Sequence, residues 1–318
     1  MSGHEGESGH SGERESRGLD RGIDSLERKR QAKEPARIAG TLRGQRVRLG
    51  TEKLLTRTTS GIIYAIVVLA GLFIGPHATM ILVAGMAWLC CSEFFRMCRM
   101  SGRMPNEAIG LGAAVLFPLA AQFNGYQSLM ALLIILCFAV AGWYVVTPRA
   151  NIADVATTIF GPIYTSFLFS SVVLIRNVDP GFEGALLAFG VMGSIWANDA
   201  MAYLVGSRIG RHKMAPRISP HKSWEGFAGG MCASLIVWLL TAALHVCGVT
   251  WPLALAGGLL SGIGGVVGDL FESRIKRGVG VKDSGNIMPG HGGLLDRSDS
   301  MLFGATAAYF ILFLGVIL

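Results

Sequence analysis

One polar stretch near the end of the chain, residues 269–300, holds acidic and basic side chains in equal number. It lies between two apolar segments that have the length and composition of membrane helices. Charged groups at the end of a membrane helix are costly unless they bind ions or one another, so this cluster is predicted to be a functional site. The acids are Asp269, Glu272, Asp283, Asp296 and Asp299, and the bases are Arg274, Lys276, Arg277, Lys282 and Arg297.

The spacing of the first acids indicates a site for a metal ion. A helix that begins near Trp251 and continues to about Arg277 would carry four polar side chains on one face. They stand at positions i, i+3, i+4 and i+7 and are Asp269, Glu272, Ser273 and Lys276. Mg²⁺ prefers oxygen ligands and takes few from protein and several from phosphates or water. Two carboxylates beside a lysine therefore predict a divalent cation that carries a phosphate.

The second acid pair and the glycines before it extend this prediction. Asp296 and Asp299 repeat the three-residue spacing just before the last apolar segment, so they are expected to close the metal site from the other side. Glycine lets the backbone approach a ligand closely and present N–H groups to an anion. Six glycines lie between the two acid pairs, with His291 among them: Gly278, Gly280, Gly285, Gly290, Gly292 and Gly293.

A second polar stretch, residues 199–230, adds an acid and a candidate phosphate site. Asp199 falls within an apolar segment, where an acid indicates function more often than a simple pairing with a neighbouring helix. Ser219 and Lys222 are expected near the start of the next helix, where free N–H groups and the helix dipole favour anions. On the residues alone, an ordinary capped helix start with an interfacial lysine fits this segment equally well.

The first stretch resembles the signature of the phosphatidate cytidylyltransferases, also called CDP-diacylglycerol synthases. The resemblance rests on the run Ser273-x-Ile275-Lys276-Arg277-x4-Lys282-Asp283-x-Gly285-x3-Pro289-x-His291-Gly292-Gly293-Leu294-x-Asp296-Arg297-x-Asp299. The segment Ser219-Pro-x-Lys222-Ser-Trp-Glu225-Gly226 looks like the second hallmark of that family. The resemblance continues more loosely from about residue 58 onward, and the first fifty-odd residues lie outside it.

The resemblance implies that CTP and phosphatidate react to give CDP-diacylglycerol and pyrophosphate. The second pKa of a phosphate monoester is about 6, so the lipid phosphate is largely dianionic and needs charge neutralisation more than a strong base. Asp269 and Asp296 are assigned as ligands of Mg²⁺ or Mn²⁺, with Asp299 and Glu272 in support. A monovalent co-ion and a homodimer are left open.

The remaining polar residues take roles from the same resemblance. Five residues are predicted to act on the reacting groups: Asp269, Lys276, Asp296, Arg297 and Asp299. Nine residues are predicted to bind CTP or the lipid phosphate: Ser219, Lys222, Glu225, Ser273, Arg277, Lys282, His291, Gly292 and Gly293. Asp199 and Asp283 are predicted to support the site, although pairing with Lys282 or Arg277 explains Asp283 equally well.

The composition predicts an all-α polytopic membrane protein with its active site at the cytoplasmic helix ends. The chain is 51% hydrophobic and 15% charged, with a mean hydropathy of +0.49. Residues 1–57 carry thirteen Lys or Arg against nine acids and are predicted to be a disordered basic tail before a transmembrane catalytic domain, residues 58–318. Nine apolar segments follow: 59–75, 77–95, 106–123, 127–147, 152–175, 184–206, 226–248, 251–269 and 301–318. The turn at Gly75-Pro76 leaves open whether the first two both span.

Loop charges predict the orientation. With the basic tail inside, nine spans put almost all loop bases on the cytoplasmic side and leave Arg176 on the other, as the positive-inside rule requires. The protein is therefore expected in the cell (inner) membrane, with its N-terminus and active site facing the nucleotides of the cytoplasm. The net charge of +7 is explained by these loops, since no nucleic-acid motif accompanies it.

Two alternatives fit part of the pattern. A CTP-dependent lipid kinase of the dolichol or phytol type would move the γ-phosphoryl group and release CDP. A transporter would carry charges near the bilayer midplane on several helices and an internal repeat. The charges of this chain gather at one edge, and no repeat is visible in the sequence.

Overall fold

The computed structural model describes residues 58–288 and 292–315, which form nine α-helices and one short strand hairpin. The helices are α1 Thr58–Ile74, α2 Pro76–Met100, α3 Glu107–Val146, α4 Ile152–Pro162, α5 Ser170–Arg176, α6 Phe182–Ile209, α7 Trp224–Ala243, α8 Trp251–Val279 and α9 Leu295–Leu314. The strands are β1 Lys213–Ala215 and β2 Ser219–Ser223. A π-helical turn, Ile163–Phe167, lies between α4 and α5, and a 3₁₀ turn, Val246–Gly248, precedes α8.

Within residues 58–288 and 292–315, six helical segments are long and apolar enough to cross a membrane. They are Pro76–Met100, Glu107–Val146, Ile152–Arg176, Phe182–Ile209, Trp224–Ala243 and Trp251–Val279. This confirms the prediction of a predominantly helical polytopic membrane protein, with the β1–β2 hairpin as an addition. Helix α1 is apolar but shorter, so the prediction of nine spans is not reached by this criterion and stays a prediction.

Helix α3 reverses direction at its middle. Its 40 residues would extend about 60 Å if straight, twice the hydrocarbon thickness of a bilayer. Asn124 and Gly125 have non-helical backbone angles, and Gly125 has a φ of 60°. The backbone N–H of Met104, just before α3, donates to Asp154 at 2.8 Å, and Asp154 lies only eight residues beyond the end of α3 at Val146. Both ends of α3 therefore lie at the same end of the molecule.

The first two helices are separated by a single residue. Gly75 has a φ of 151°, a backbone conformation that favours glycine, and Pro76 begins α2 at a position where no backbone N–H is required. The Thr79 hydroxyl donates to the carbonyl oxygen of Gly71 at 2.9 Å. This bond joins the last turn of α1 to the first turn of α2, so the break is a fixed turn between two helices.

Helix α8 has the extent that the charge spacing predicts, from Trp251 to Val279. It ends at Gly280, whose φ of 78° terminates the helix, and Lys276 and Arg277 lie in its last turn. Glycines let α8 and α9 approach closely. A Cβ atom at Gly264 would lie 3.0 Å from the carbonyl oxygen of Phe303, and one at Gly268 would collide with the carbonyl oxygen of Asp299. This contact brings the acids of α8 beside the acids of α9.

The β1–β2 hairpin refines the prediction that Ser219 and Lys222 lie near the start of a helix. These residues lie on β2, which pairs antiparallel with β1, and α7 begins only at Trp224. The cap of α7 is Ser223, whose hydroxyl accepts a hydrogen bond from the Gly226 N–H at 3.2 Å. Pro220 explains the difference, because the residue before a proline is held in an extended conformation.

Candidate active site

A cleft of about 520 Å³ lies where the polar ends of α6, α8 and α9 meet the β1–β2 hairpin and the loop after α8. It joins the two polar stretches of the sequence, which are separated by the whole of α7. The predicted residues that line it are Asp199, Ser219, Lys222, Asp269, Ser273, Lys276, Arg277, Lys282, Asp283, Asp296, Arg297 and Asp299. Of the other predicted residues, His291 lies outside the described residues.

Lys276 joins α8 to α9. Its ammonium group donates to Oε2 of Glu272 at 2.8 Å and to Oδ1 of Asp296 at 2.5 Å. The Glu272 side chain is completely buried, and the Asp296 side chain is 6% exposed. A base between two buried carboxylates neutralises part of their charge, and its removal would leave both without a cation.

Asp296 also orders the loop before α9. Its Oδ2 accepts from the backbone N–H of Ser284 at 2.9 Å and from that of Gly293 at 2.7 Å. A carboxylate offers about four acceptor positions, so two amides and the Lys276 ammonium occupy most of them. In this arrangement Asp296 holds the loop and Lys276, and its role as a metal ligand stays a prediction.

Asp269 and Lys222 bring the two polar stretches into contact. The ammonium group of Lys222 lies 2.8 Å from Oδ2 of Asp269, and the Ser273 hydroxyl lies 3.2 Å from Oδ1. The Asp269 side chain is 33% exposed and the Lys222 side chain 22%, so both reach the open cleft. The acid of α8 and the base of β2 are therefore placed to face one ligand together.

Negative charge is concentrated on one side of the cleft and just beneath it. Asp299 is buried and interacts electrostatically with Asp269, Glu272 and Asp199. The Glu272 carboxylate lies within hydrogen-bond distance of Asp299 as well as of Lys276. Carboxylates gathered in this way need a cation or a proton to offset their repulsion.

The acids supply only part of the ligands that a divalent cation needs. Among residues 58–288 and 292–315, no group of three or more His, Cys, Asp or Glu is arranged to hold a metal ion by itself. Mg²⁺ usually takes one or two carboxylates and completes its coordination with substrate phosphates and water. The oxygen donors at the cleft therefore suit a metal that arrives with a nucleotide.

Glu225 fixes the hairpin to the end of α6. Its carboxylate lies 2.6 Å from Nδ1 of His212, and it accepts from the backbone N–H groups of Arg211 and His212 at 3.2 Å. These bonds hold the chain where it leaves α6 and enters β1. The prediction that Glu225 binds substrate stays untested by this geometry.

The loop after α8 places the remaining predicted residues. Arg277 donates to the carbonyl oxygen of Val281 at 3.2 Å, and within the described ranges neither Arg277 nor Lys282 forms an ion pair with Asp283. Gly292 has a φ of 87°, and its carbonyl oxygen accepts from the Met288 N–H at 3.0 Å. Lys282 and Asp283 are exposed at the cleft.

Sequence reasoning missed two residues of α2 that contact this loop. Glu93 is 3% exposed and accepts from the Ser284 hydroxyl at 3.0 Å and from the Leu295 N–H at 2.9 Å. Arg96 donates to the carbonyl oxygen of Ser284. The available signal was Glu93 itself, an acid inside an apolar segment, which is the rule that identifies Asp199.

Comparison with known proteins identifies the family of this chain. Residues 55–314 match the model of the cytidylyltransferase family. The phosphatidate cytidylyltransferase of Bacillus subtilis is 33% identical over 265 residues, which cover 80% of this chain and 96% of that protein. Those of Mycobacterium tuberculosis and Brucella abortus are 37% identical over 166 residues and 41% over 150. The matches cover 52% and 47% of this chain, and 49% and 54% of those relatives, so the chain spans about half the length of these two.

Proposed function

The chain belongs to the cytidylyltransferase family, and we propose that the cleft is the active site in which CTP and phosphatidate react. The protein is a phosphatidate cytidylyltransferase, and its products are CDP-diacylglycerol and pyrophosphate. The observation that carries the proposal for the site is the contact of Lys222 with Asp269, because it unites two separate motifs beside apolar helices that can hold a lipid.

The reaction exchanges one phosphoanhydride bond for another. An oxygen of the lipid phosphate attacks the α-phosphorus of CTP, and the bond from that phosphorus to the bridging oxygen of the β-phosphate breaks. Pyrophosphate leaves with the electron pair of the broken bond. Since the attacking phosphate is largely a dianion at neutral pH, the site must chiefly neutralise charge and align the two groups.

Bases at the rim of the cleft bind the phosphates. Lys222, Arg277, Lys282 and Arg297 line the cleft and can contact a triphosphate or a lipid phosphate. Arginine offers paired hydrogen bonds to phosphate oxygens, whereas lysine contributes a compact charge. Lys276 has a different role, because its ammonium group is already held by two carboxylates and so positions α8 against α9.

Asp269 and Asp299 are the residues that would hold Mg²⁺ or Mn²⁺, with Asp199 and Glu272 in support. When bound, the cation would offset charge on the triphosphate and on the leaving pyrophosphate. The crowding of acids around Asp299 supports this assignment. Asp296 orders the loop instead, because its acceptor positions are used by Lys276, Ser284 and Gly293. A monovalent co-ion stays a prediction.

Nine spans with a cytoplasmic active site are the topology that fits best. The reversal of α3 supports two spans there, and α1 and α9 add one each to the five other long segments. The contacts of Arg96 with Ser284 and of Met104 with Asp154 support the placement of the basic loops at one end. The positive-inside rule assigns that end to the cytoplasm, and the cell (inner) membrane location stays a prediction. A homodimer stays a prediction.

A product assay tests this function. Purified protein in detergent is given labelled CTP, phosphatidate and Mg²⁺, and lipid-linked cytidine and pyrophosphate are measured. We expect both in equal amounts, and their loss in Lys222→Met. Glu183→Gln is the control, because Glu183 contacts the Cys247 N–H near the 3₁₀ turn before α8, outside the cleft. Release of CDP with phosphorylation of an isoprenoid alcohol would instead establish the lipid kinase.

A further inference from the structure

We infer that Glu93 and Arg96 of α2 are positioning residues, which hold the loop after α8 in the conformation that the reaction requires. This inference rests on the proposed function. The two residues lie one helical turn apart on α2, almost two hundred residues from the loop in sequence. Neither lines the cleft, so they act on it indirectly, through the loop and the start of α9.

Glu93 and Arg96 both form hydrogen bonds to the loop at Ser284. Its side chain is completely buried, and each of its three polar groups bonds to a side chain of α2 or of α9. The hydroxyl donates to Glu93 at 3.0 Å, the carbonyl oxygen accepts from Arg96, and the N–H donates to Asp296 at 2.9 Å. Ser284 therefore cannot shift without breaking bonds to α2 and to α9.

Glu93 also caps α9. Helix α9 has no side-chain cap of its own, and the first N–H groups of a helix need an external acceptor. The Glu93 carboxylate accepts from the Leu294 N–H at 3.1 Å and from the Leu295 N–H at 2.9 Å. A negative charge at this end of a helix is also favoured by the helix dipole. The start of α9, which carries Arg297 and Asp299, is thereby fixed from α2.

Two glycines make this approach possible. A Cβ atom at Gly293 would lie 2.5 Å from Oε2 of Glu93 and 2.6 Å from the backbone nitrogen of Gly285. A Cβ atom at Gly285 would collide with the Glu93 carboxylate. The glycines of the signature thus accommodate a buried carboxylate of α2, besides any contact that they make with a ligand.

The position of the loop determines how its charged residues face the cleft. The loop carries Lys282 and Asp283 to the cleft immediately before the residue that Glu93 and Arg96 hold. Loss of the hydrogen bonds from Glu93 and Arg96 to Ser284 should therefore weaken the productive binding of CTP phosphates and slow the reaction. Binding of the lipid chains, which depends on the apolar helices, should change little.

The test compares Glu93→Gln and Arg96→Gln with the wild type and with Glu183→Gln, all purified in detergent. Glu183→Gln makes the same chemical change at a carboxylate that also accepts a backbone N–H. Amide hydrogen exchange is measured together with kcat and with KM for CTP and for phosphatidate. In Glu93→Gln we expect exchange at residues 284 and 293–295 to accelerate about tenfold or more, and kcat/KM for CTP to fall by a similar factor. KM for phosphatidate should stay within about twofold of the wild type.

The outcomes separate this inference from the proposed function. If Glu93→Gln lowers only the thermal midpoint, and the folded protein retains full activity and wild-type exchange in the loop, the inference is wrong. If both variants raise KM for the lipid and for CTP equally, a general structural role replaces a positioning role. If the wild type forms no CDP-lipid, the proposed function fails, while the exchange rates still decide whether α2 holds the loop.

Discussion

Removal of the Lys276 ammonium group is the sharpest test of how the site is built. Lys276→Met keeps most of the side-chain length but leaves Glu272 and Asp296 without their shared cation. All three side chains are nearly or completely buried, with exposures of 10%, 0% and 6%. Breaking a buried ion pair by removing one partner costs about 3–5 kcal/mol, because the remaining charge stays desolvated. We expect a loss of about 3 kcal/mol or more.

The assay is thermal and denaturant unfolding in detergent, with activity measured on the folded fraction. Arg274→Met is the matched control, because Arg274 is an exposed base on the same helix. An exposed charge contributes at most about 1 kcal/mol, so the control should unfold close to the wild type. Lys276→Met should also lose most CDP-lipid formation, since the polar link from α8 to Asp296 of α9 is removed.

A double variant identifies the cause. Glu272→Gln in the Lys276→Met background removes one of the two uncompensated carboxylates and should restore about half or more of the lost stability. Activity should not return with it, because the link between Lys276 and Asp296 is still missing. If Lys276→Met unfolds at the midpoint of Arg274→Met, the ion pairs do not stabilise the site and the reasoning is refuted.

Three further predictions follow from other contacts. Asp269→Asn should lower Mg²⁺-dependent CDP-lipid formation, measured with labelled CTP, about a hundredfold or more. Asp179→Asn, at an acid that does not line the cleft, is the control and should keep its activity. Equal activities of the two variants would exclude a metal role for Asp269. Gly268→Ala should destabilise the protein by about 1–3 kcal/mol in denaturant unfolding, because its Cβ meets the Asp299 carbonyl; an unchanged midpoint would contradict the close α8–α9 contact. Ser223→Ala should cost about 1 kcal/mol through loss of the α7 cap, and no change would show that the cap is dispensable.

The sequence predicts the helices well, because hydrophobic segments and charge spacing are local properties. Helix α8 extends to Val279 as the spacing of Asp269 and Lys276 indicates. The reversal of α3 at Gly125 falls between the segments 106–123 and 127–147 that the pattern separates. Beta structure at Ser219 was missed because one extended residue before a proline looks the same at a helix start and in a short strand.

The bonding partners in the site could not be read from the sequence, because they depend on long-range contacts. The spacing of Asp296 and Asp299 marks both as candidate metal ligands, but only the fold shows that Asp296 is occupied by Lys276, Ser284 and Gly293. Glu93 is recognisable as an acid in an apolar segment. Its partner Ser284 is separated by almost two hundred residues, and no local pattern connects them.

The polar bonds that hold the helices together also fix the positions of the residues in the site. Between helices in a bilayer the hydrophobic effect gives little net attraction, so packing of small residues and polar contacts must hold them together. Here α8 and α9 are joined by Lys276 and by glycine contacts, and α2 is joined to the loop by Glu93. Stability and activity should therefore fall together at these positions. The effects on stability and on activity should differ at Lys222, which faces the open cleft. Loss of Lys222 should reduce activity far more than stability.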